Sequence, residues 1–314
     1  MSTAREPQIS ILLRTAPADS PAWHAAFRAA LPEARIAVWP DVPFAPDYVA
    51  AWHPSPELFA HVPAPKAIFN LGAGVDALLH LPDLPHVPVI RLEDAGMALP
   101  MAEYVTLAAL AAYRHRDAYR AQQSVARWHV LPPEARDAFT VGILGMGVLG
   151  RACAQALRPF GFPLLGWSRT RKDIPGVESH AGMDRLGAML ARTRMLVCLV
   201  PLTAATHGLL DTERLGTLPR GAHLVNVARG ALVVDADLLR LLDAGHIASA
   251  TLDVFHDEPL PPEHPFWHHP RVTVTPHVSA LTDVPASVAQ IAAKIRQLER
   301  GESVTGIVDR TRGY

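Results

Sequence analysis

Short apolar runs alternate along the chain with stretches in which apolar residues recur every three or four positions. Runs of four to six apolar residues bounded by turn formers read as buried strands, and the helical-period stretches read as crossovers between them. In the first third the runs are Ile9-Ser-Ile-Leu-Leu13, Arg35-Ile-Ala-Val-Trp39, Tyr48-Val-Ala-Ala-Trp52, Ala67-Ile-Phe-Asn-Leu71 and Val87-Pro-Val-Ile-Arg91. A helix over Pro21–Leu31 carries its proline near the start, where a missing N–H costs nothing. An Ala-rich apolar helix is predicted from Leu99 to about Arg120, with Pro100 at its head. It either crosses between lobes, supports a subunit interface or is a plain core helix. A second series follows. Its strands are Val141–Leu144, Leu164–Trp167, Met195–Val200, His223–Ala228, Ala248–Asp253 and Val272–Thr275, with a helix around Leu186–Ala191. An amphipathic helix from Ser287 to about Arg300 closes the chain and is expected to return to the first lobe. The alternation predicts an α/β protein of two lobes with parallel sheets.

Between the first strand of the second series and the helix after it lies Gly145-Met-Gly-Val-Leu-Gly150. The three glycines fit the dinucleotide fingerprint. Gly145 allows the turn, Gly147 lets a pyrophosphate approach the backbone, and Gly150 lets the helix pack close to the strand. Free N–H groups at the helix start favour the phosphate charge. Glycine turns of this kind also serve packing and S-adenosylmethionine sites, so the residues downstream have to decide.

Composition narrows the class. The 314 residues suit about two domains. With 49% hydrophobic and 19% charged residues the chain is ordinary for a globular enzyme, and a net charge of −1 argues against nucleic-acid or membrane-surface partners. Cys153 and Cys198 sit in apolar runs and read as core residues. Met1–Gln8 lacks an apolar signal region and no run is long enough for a bilayer span, so a cytoplasmic location is expected. His53, His61, His80 and His86 show no metal-ligand spacing, and His264, His268 and His269 near Trp267 read as a loop near the active site. No metal is expected.

Four polar residues follow strands of the second series: Arg229, Asp253, Glu258 in the next loop, and His277. Ligands of open α/β sheets bind beyond the carboxyl ends of the strands. Arg can hold a carboxylate bidentately and polarise a carbonyl. His exchanges a proton near neutral pH, and a carboxylate beside it favours the imidazolium and fixes the ring.

With Leu71-Gly-Ala-Gly-Val-Asp76, Gly142–Gly150, Val200-Pro-Leu-Thr203, Asn226-Val-Ala-Arg-Gly230, Leu252-Asp-Val-Phe255, Glu258-Pro259 and Thr275-Pro-His277, the chain resembles the D-2-hydroxyacid dehydrogenase family over nearly its whole length. Arg91–Met97, Gly166–Lys172, Glu258–Glu263 and Val308–Tyr314 are similar to its bacterial glyoxylate/hydroxypyruvate reductase A group. The resemblance implies a Rossmann dinucleotide-binding domain, 99–282, inserted into a flavodoxin-like substrate domain, 1–98 plus 283–314. It also implies a homodimer that reduces small 2-oxoacids to D-2-hydroxyacids. Arg229, Glu258 and His277 would be catalytic, and Asp253 would accept the nicotinamide carboxamide. Gly145, Met146, Gly147, Val148, Leu149, Gly150, Pro201 and Ala228 would contact the cofactor. The backbone of Leu71, Gly72, Ala73 and Gly74 would meet the substrate carboxylate together with Arg229, and closure of the lobes would exclude water.

Where an NAD-type chain carries an acidic residue after the second strand, this one has Ser168-Arg-Thr-Arg-Lys172. Cations and hydroxyls suit a 2′-phosphate. NADPH is therefore the expected cofactor, with NADH as the alternative. Trp52 reads as core or as a wall of the substrate pocket, and Met97 as a second wall. Three competing functions are another specificity in the same family, formate or phosphite oxidation, and a dinucleotide-sensing corepressor. Formate oxidation releases no proton to a His–Glu pair, so Glu258 speaks against it. No extra partner-binding segment supports the corepressor.

Overall fold

In the computed structural model, which describes residues 9–62 and 64–314, each apolar run named above is a strand, shifted or trimmed by a residue or two at its ends. The octet Met1–Gln8, on which the expectation of no leader rests, lies outside the described residues. The chain forms two units. One runs to Gly96 and resumes at Thr282, and the other is Met97–Leu281.

The first unit contains β1 (Ser10–Arg14), α1 (Ser20–Ala30), β2 (Arg35–Val38), β3 (Tyr48–Ala51), α2 (Pro56–His61), β4 (Ala67–Asn70), α3 (Asp76–Leu79) and β5 (Val89–Ile90). Its strands pair in parallel in the order β2-β1-β3-β4-β5, the doubly wound order of flavodoxin-like sheets. All residues of β3 and β4 are buried, which explains why both are apolar but for the Asn70 that ends β4. The C-terminal helix Val284–Glu299 belongs to this unit, capped by Asp283, whose side chain accepts the Ala286 N–H at 2.7 Å. It buries Val288, Ile291, Ala292 and Ile295 and packs on α1. Its Lys294 is almost wholly buried and donates to Glu93 Oε2 (3.0 Å) and Thr305 O (2.9 Å). Tyr48 OH and Lys66 Nζ donate to Glu299 at its far end. These ties hold the returning segment to the sheet that the chain left.

The second unit contains α4 (Ala98–Tyr113), α5 (Arg116–Ser124), β6 (Val141–Leu144), α6 (Val148–Leu157), β7 (Leu164–Ser168), β8 (Glu178–Ala181), α7 (Leu186–Leu190), β9 (Met195–Cys198), α8 (Thr212–Thr217), β10 (Ala222–Asn226), α9 (Asp235–Asp243), β11 (Ile247–Leu252) and β12 (Val272–Val274). All pairings are parallel, in the order β12-β11-β10-β9-β6-β7-β8. Counted from β6 this is 3-2-1-4-5-6-7, the Rossmann order with one added strand. The connections from β6 and from β9 lead to opposite sides of the sheet, so the loop after β6 opens at the switch point.

The long helix expected from Leu99 to Arg120 is corrected to two helices. α4 buries Met101, Ala102, Val105 and Ala109, whereas α5 buries nothing, and the chain breaks at His115 with φ +54°. The apolar stretch ends at Tyr113, and the polar residues after it have no core to cover. The edge strand β8 was not read from the sequence, because Glu178-Ser-His-Ala181 is polar and pairs on one side only. Cys153 and Cys198 are buried and free, and burial pushes both thiols up to about 12, which removes them as nucleophiles.

Candidate active site

Two glycines of the turn after β6 are required by packing and one leaves space. Gly145 has φ +104°, and a Cβ there would lie 2.5 Å from the Leu199 carbonyl oxygen. A Cβ on Gly150 would lie 1.9 Å from the Gly145 oxygen. A Cβ on Gly147 would meet nothing within 4 Å. Gly147 is also the N-cap of α6, and no side chain caps that helix, whereas α8 is capped by Asp211. The first-turn N–H groups at Val148, Leu149 and Gly150 therefore point their positive dipole end into open space, a cradle that fits a pyrophosphate. Met146 is 2% exposed and its side chain packs on Gly166, so only its backbone faces that cradle.

The basic turn follows β7 beside this loop, because the Gly145 N–H donates to Trp167 O at 2.9 Å. Ser168 Oγ donates to Thr170 O (2.8 Å), and the Lys172 N–H donates to Ser179 Oγ (3.2 Å). Arg169, Thr170 and Arg171 are exposed. None of the five residues is acidic, so a 2′-phosphate would meet no repelling carboxylate among them. After β9, Pro201 O accepts from Thr206 Oγ1 at 2.7 Å, which closes the turn 201–206.

Arg229, Glu258 and His277 stand beyond β10, β11 and β12. Asn226, 1% exposed, shapes the first turn: its Nδ2 donates to Arg229 O (2.9 Å) and its Oδ1 accepts the Ala228 N–H (3.2 Å). Arg229 Nη1 donates to Ala228 O at 2.6 Å. Beyond β11, Glu258 Oε1 accepts the Phe255 N–H (2.9 Å) and Oε2 accepts from His277 Nδ1 at 2.7 Å. A carboxylate only accepts, so Nδ1 carries the proton of that bond and Nε2 is the ring nitrogen left for chemistry. Burial would raise the Glu258 carboxyl. The hydrogen bonds from His277 and Phe255, with the charges of His277 and Arg229, outweigh it and hold the group below the usual carboxylate range. The two side chains are each 37% exposed, so the pair is open to solvent and to a small ligand. Gly230 brings the Arg229 turn against this loop, since a Cβ there would lie 2.0 Å from the Phe255 carbonyl carbon.

His277 has φ +55°, a left-handed backbone that side chains other than glycine rarely adopt. Asp253 holds it there. Its backbone oxygen accepts the His277 N–H (2.9 Å). Its carboxylate accepts Thr275 Oγ1 (2.6 Å), the Val278 N–H (2.9 Å) and the Ser279 N–H (2.8 Å). Tyr104 OH and Thr275 Oγ1 lie 2.6 Å apart and extend the network to α4. Asp253 is fully buried with both oxygens engaged. The role visible here is to fix the His277 turn, which differs from the carboxamide contact that the resemblance implies.

In the first unit, Asn70 fixes the loop after β4 by donating to Gly72 O (2.8 Å) and Gly74 O (2.9 Å). The indole of Trp52 lies on that loop: a Cβ on Gly72 would be 2.2 Å from its Cζ3. Leu71 and Gly72 are buried, and Ala73 and Gly74 partly so. Met97 heads α4 in the second unit and is 4% exposed. Asn70, Asn226, Thr275 and Tyr104 were not singled out from the sequence. Asn70 and Asn226 brace backbone turns, Thr275 and Tyr104 join the Asp253 network through their side chains, and their only sequence signal is a polar residue in or just after an apolar run. Among the described residues no group of His, Cys, Asp or Glu could hold a metal ion, and no helix is long and apolar enough to cross a membrane.

Residues 106–279 match the family model described as D-isomer specific 2-hydroxyacid dehydrogenase, NAD binding domain. The structure is similar to a D-isomer specific 2-hydroxyacid dehydrogenase from Xanthobacter autotrophicus Py2 in complex with NADPH and MES. The TM-score is 0.93 at 40% identity, over 98% of this chain and 100% of that one. It is also similar to an NADPH-dependent glyoxylate/hydroxypyruvate reductase from Sinorhizobium meliloti in complex with NADP and sulfate, with TM-score 0.91 and 36% identity over 98% and 100% of the two chains. A third similar structure, from Klebsiella pneumoniae 342, is a D-isomer specific 2-hydroxyacid dehydrogenase family protein with TM-score 0.86 and 32% identity over 96% and 98%.

Proposed function

The chain belongs to the D-isomer specific 2-hydroxyacid dehydrogenase family, and from that premise we propose that it reduces small 2-oxoacids with NADPH: glyoxylate to glycolate and hydroxypyruvate to D-glycerate. The observation that carries the reading is the 2.7 Å contact between His277 Nδ1 and Glu258, with Arg229 close enough for its charge to act on Glu258. Bound reduced nicotinamide supplies the hydride. The chain supplies the rest. Arg229 holds the substrate carboxylate and draws electron density from the 2-oxo oxygen. His277 gives a proton from Nε2 to that oxygen as the carbonyl becomes an alcohol, and Glu258 stabilises the charged ring beforehand. The backbone of 71–74 is assigned to the carboxylate, and Trp52 and Met97 to limiting substrate length. Pro201 and Ala228 are assigned to the cofactor.

NADPH is supported by the carboxylate-free turn Ser168–Lys172 and by the NADPH and NADP of two similar structures. The substrate pair is supported by the named activity of the Sinorhizobium meliloti relative. A second copy of the chain is the proposed partner. Absorbance of the reduced nicotinamide, followed with a panel of 2-oxoacids and both cofactors, tests the reading. Turnover is expected to be fastest with two- and three-carbon acids and NADPH. Turnover confined to longer or branched acids, or an NADH preference, would overturn it.

A further inference from the structure

The loop that carries Glu258 folds back onto the start of α9, the helix that precedes β11. Asp235, the first residue of α9, places Oδ1 3.6 Å from His256 Nε2 and Oδ2 3.5 Å from His264 Nε2. The two rings flank Glu258, one two residues before it and the other six after. His264 Nδ1 accepts the Phe266 N–H at 3.3 Å, so the neutral ring carries its proton on Nε2, the nitrogen 3.5 Å from Asp235. His256 Nε2 lies 3.0 Å from Val233 O and must donate to it. The loop therefore reaches Val233 and Asp235, which follow Arg229 by four and six residues. Gly230 completes the junction, with no room for a side chain against Phe255 and His256. The cluster is no metal site. Burial raises the Asp235 carboxyl against the lowering effect of the two imidazoles, as expected of a group enclosed by the elements it joins.

We propose that Asp235 is a positioning residue for the proton donor: by facing both His256 and His264 it closes the loop 256–264 and fixes Glu258 against His277. This rests on the reading of Glu258 and His277 as the proton-donor pair. Without the clamp the loop would still follow β11, but Glu258 would sample positions away from the imidazole. Small displacements of a catalytic group cost up to about a hundredfold in rate. The effect should resemble the loss of Glu258 and leave the glycine turn untouched.

The test compares wild type, Glu258→Gln, Asp235→Ala and the double variant His256→Gln with His264→Gln, which keeps the acidic first turn of α9. Three readouts are taken: amide hydrogen exchange at Phe255, whose N–H Glu258 accepts, NADPH affinity, and the pH profile of kcat. Asp235→Ala and the double variant are expected to speed exchange at Phe255 by roughly tenfold or more. They should lower kcat and move its alkaline limb to lower pH, as Glu258→Gln does, with NADPH affinity retained. A purely structural role would lower the melting temperature and leave the limb in place. Unchanged Phe255 exchange in both clamp variants overturns the proposal, whatever the activity. A limb that moves in Glu258→Gln but not in the clamp variants overturns it while sparing the proton-donor reading. A limb unmoved by Glu258→Gln itself removes that reading, and the proposal with it.

Discussion

The turns after β6 and after β12 leave the same sheet, and both pass through left-handed backbone, at Gly145 with φ +104° and at His277 with φ +55°. They are built in opposite ways. The first is relaxed: glycine adopts that conformation freely, and Gly147 leaves open space in front of uncapped N–H groups. The second is strained and restrained, with a non-glycine residue in a turn whose four hydrogen bonds, from His277, Thr275, Val278 and Ser279, are all accepted by Asp253. On the proposed function, the surface that would receive a bulky anion is made by removing side chains, and the side chain that would deliver a proton is held by a buried carboxylate behind it.

The contrast breaks most readily at Asp253. Asp253→Ala leaves the Val278 and Ser279 N–H groups without their acceptor, at about 1–3 kcal/mol each, and frees the His277 turn. A large loss of kcat with NADPH affinity retained is expected, read by steady-state kinetics and by fluorescence titration of the cofactor. Equal loss of affinity would assign Asp253 to the cofactor after all. In the basic turn after β7, beside the glycine turn, replacing Arg169 and Arg171 with Ala should weaken NADPH by roughly 1.5–3 kcal/mol for each lost charge-assisted contact and spare NADH. Equal weakening of both cofactors would detach the basic turn from the 2′-phosphate.

Legibility followed the same division. The glycine turn was readable because its spacing is local and each glycine has a separate steric reason. The central strands were readable because those of a parallel sheet are buried on both faces, whereas the polar edge strand β8 carried no such run. Arg229, Glu258 and His277 could be named because they follow apolar runs, yet their contact depends on backbone turns that no periodicity encodes. Asp253 was named, but its grip on residues 275–279 spans more than twenty positions and shows only in the fold. Asn70 and Asn226 stayed hidden within their strands, since a buried amide that braces a turn looks like any polar interruption. The break at His115 was missed because helical spacing continues past the point where there is core to bury.

The smallest expected effect concerns pH. Glu258→Gln removes the negative charge beside the imidazole, so the alkaline limb of reduction should move to lower pH. The Glu258 carboxyl lies below its ordinary range in the folded protein. Its contribution to stability is therefore present above the ordinary carboxylate range and is lost as pH falls through the folded value. The melting-temperature gap between wild type and Glu258→Gln should be open at neutral pH and close in acid. A gap that widens in acid would show that the sign of the coupling is wrong.

The division between a cofactor end and a proton end is tested most directly by one single-turnover experiment on His277→Ala preloaded with NADPH and mixed with glyoxylate. NADPH affinity should equal that of wild type while oxidation of the bound cofactor slows by roughly 10²–10⁴. Oxidation at the wild-type rate, or loss of NADPH binding together with the rate, would contradict it.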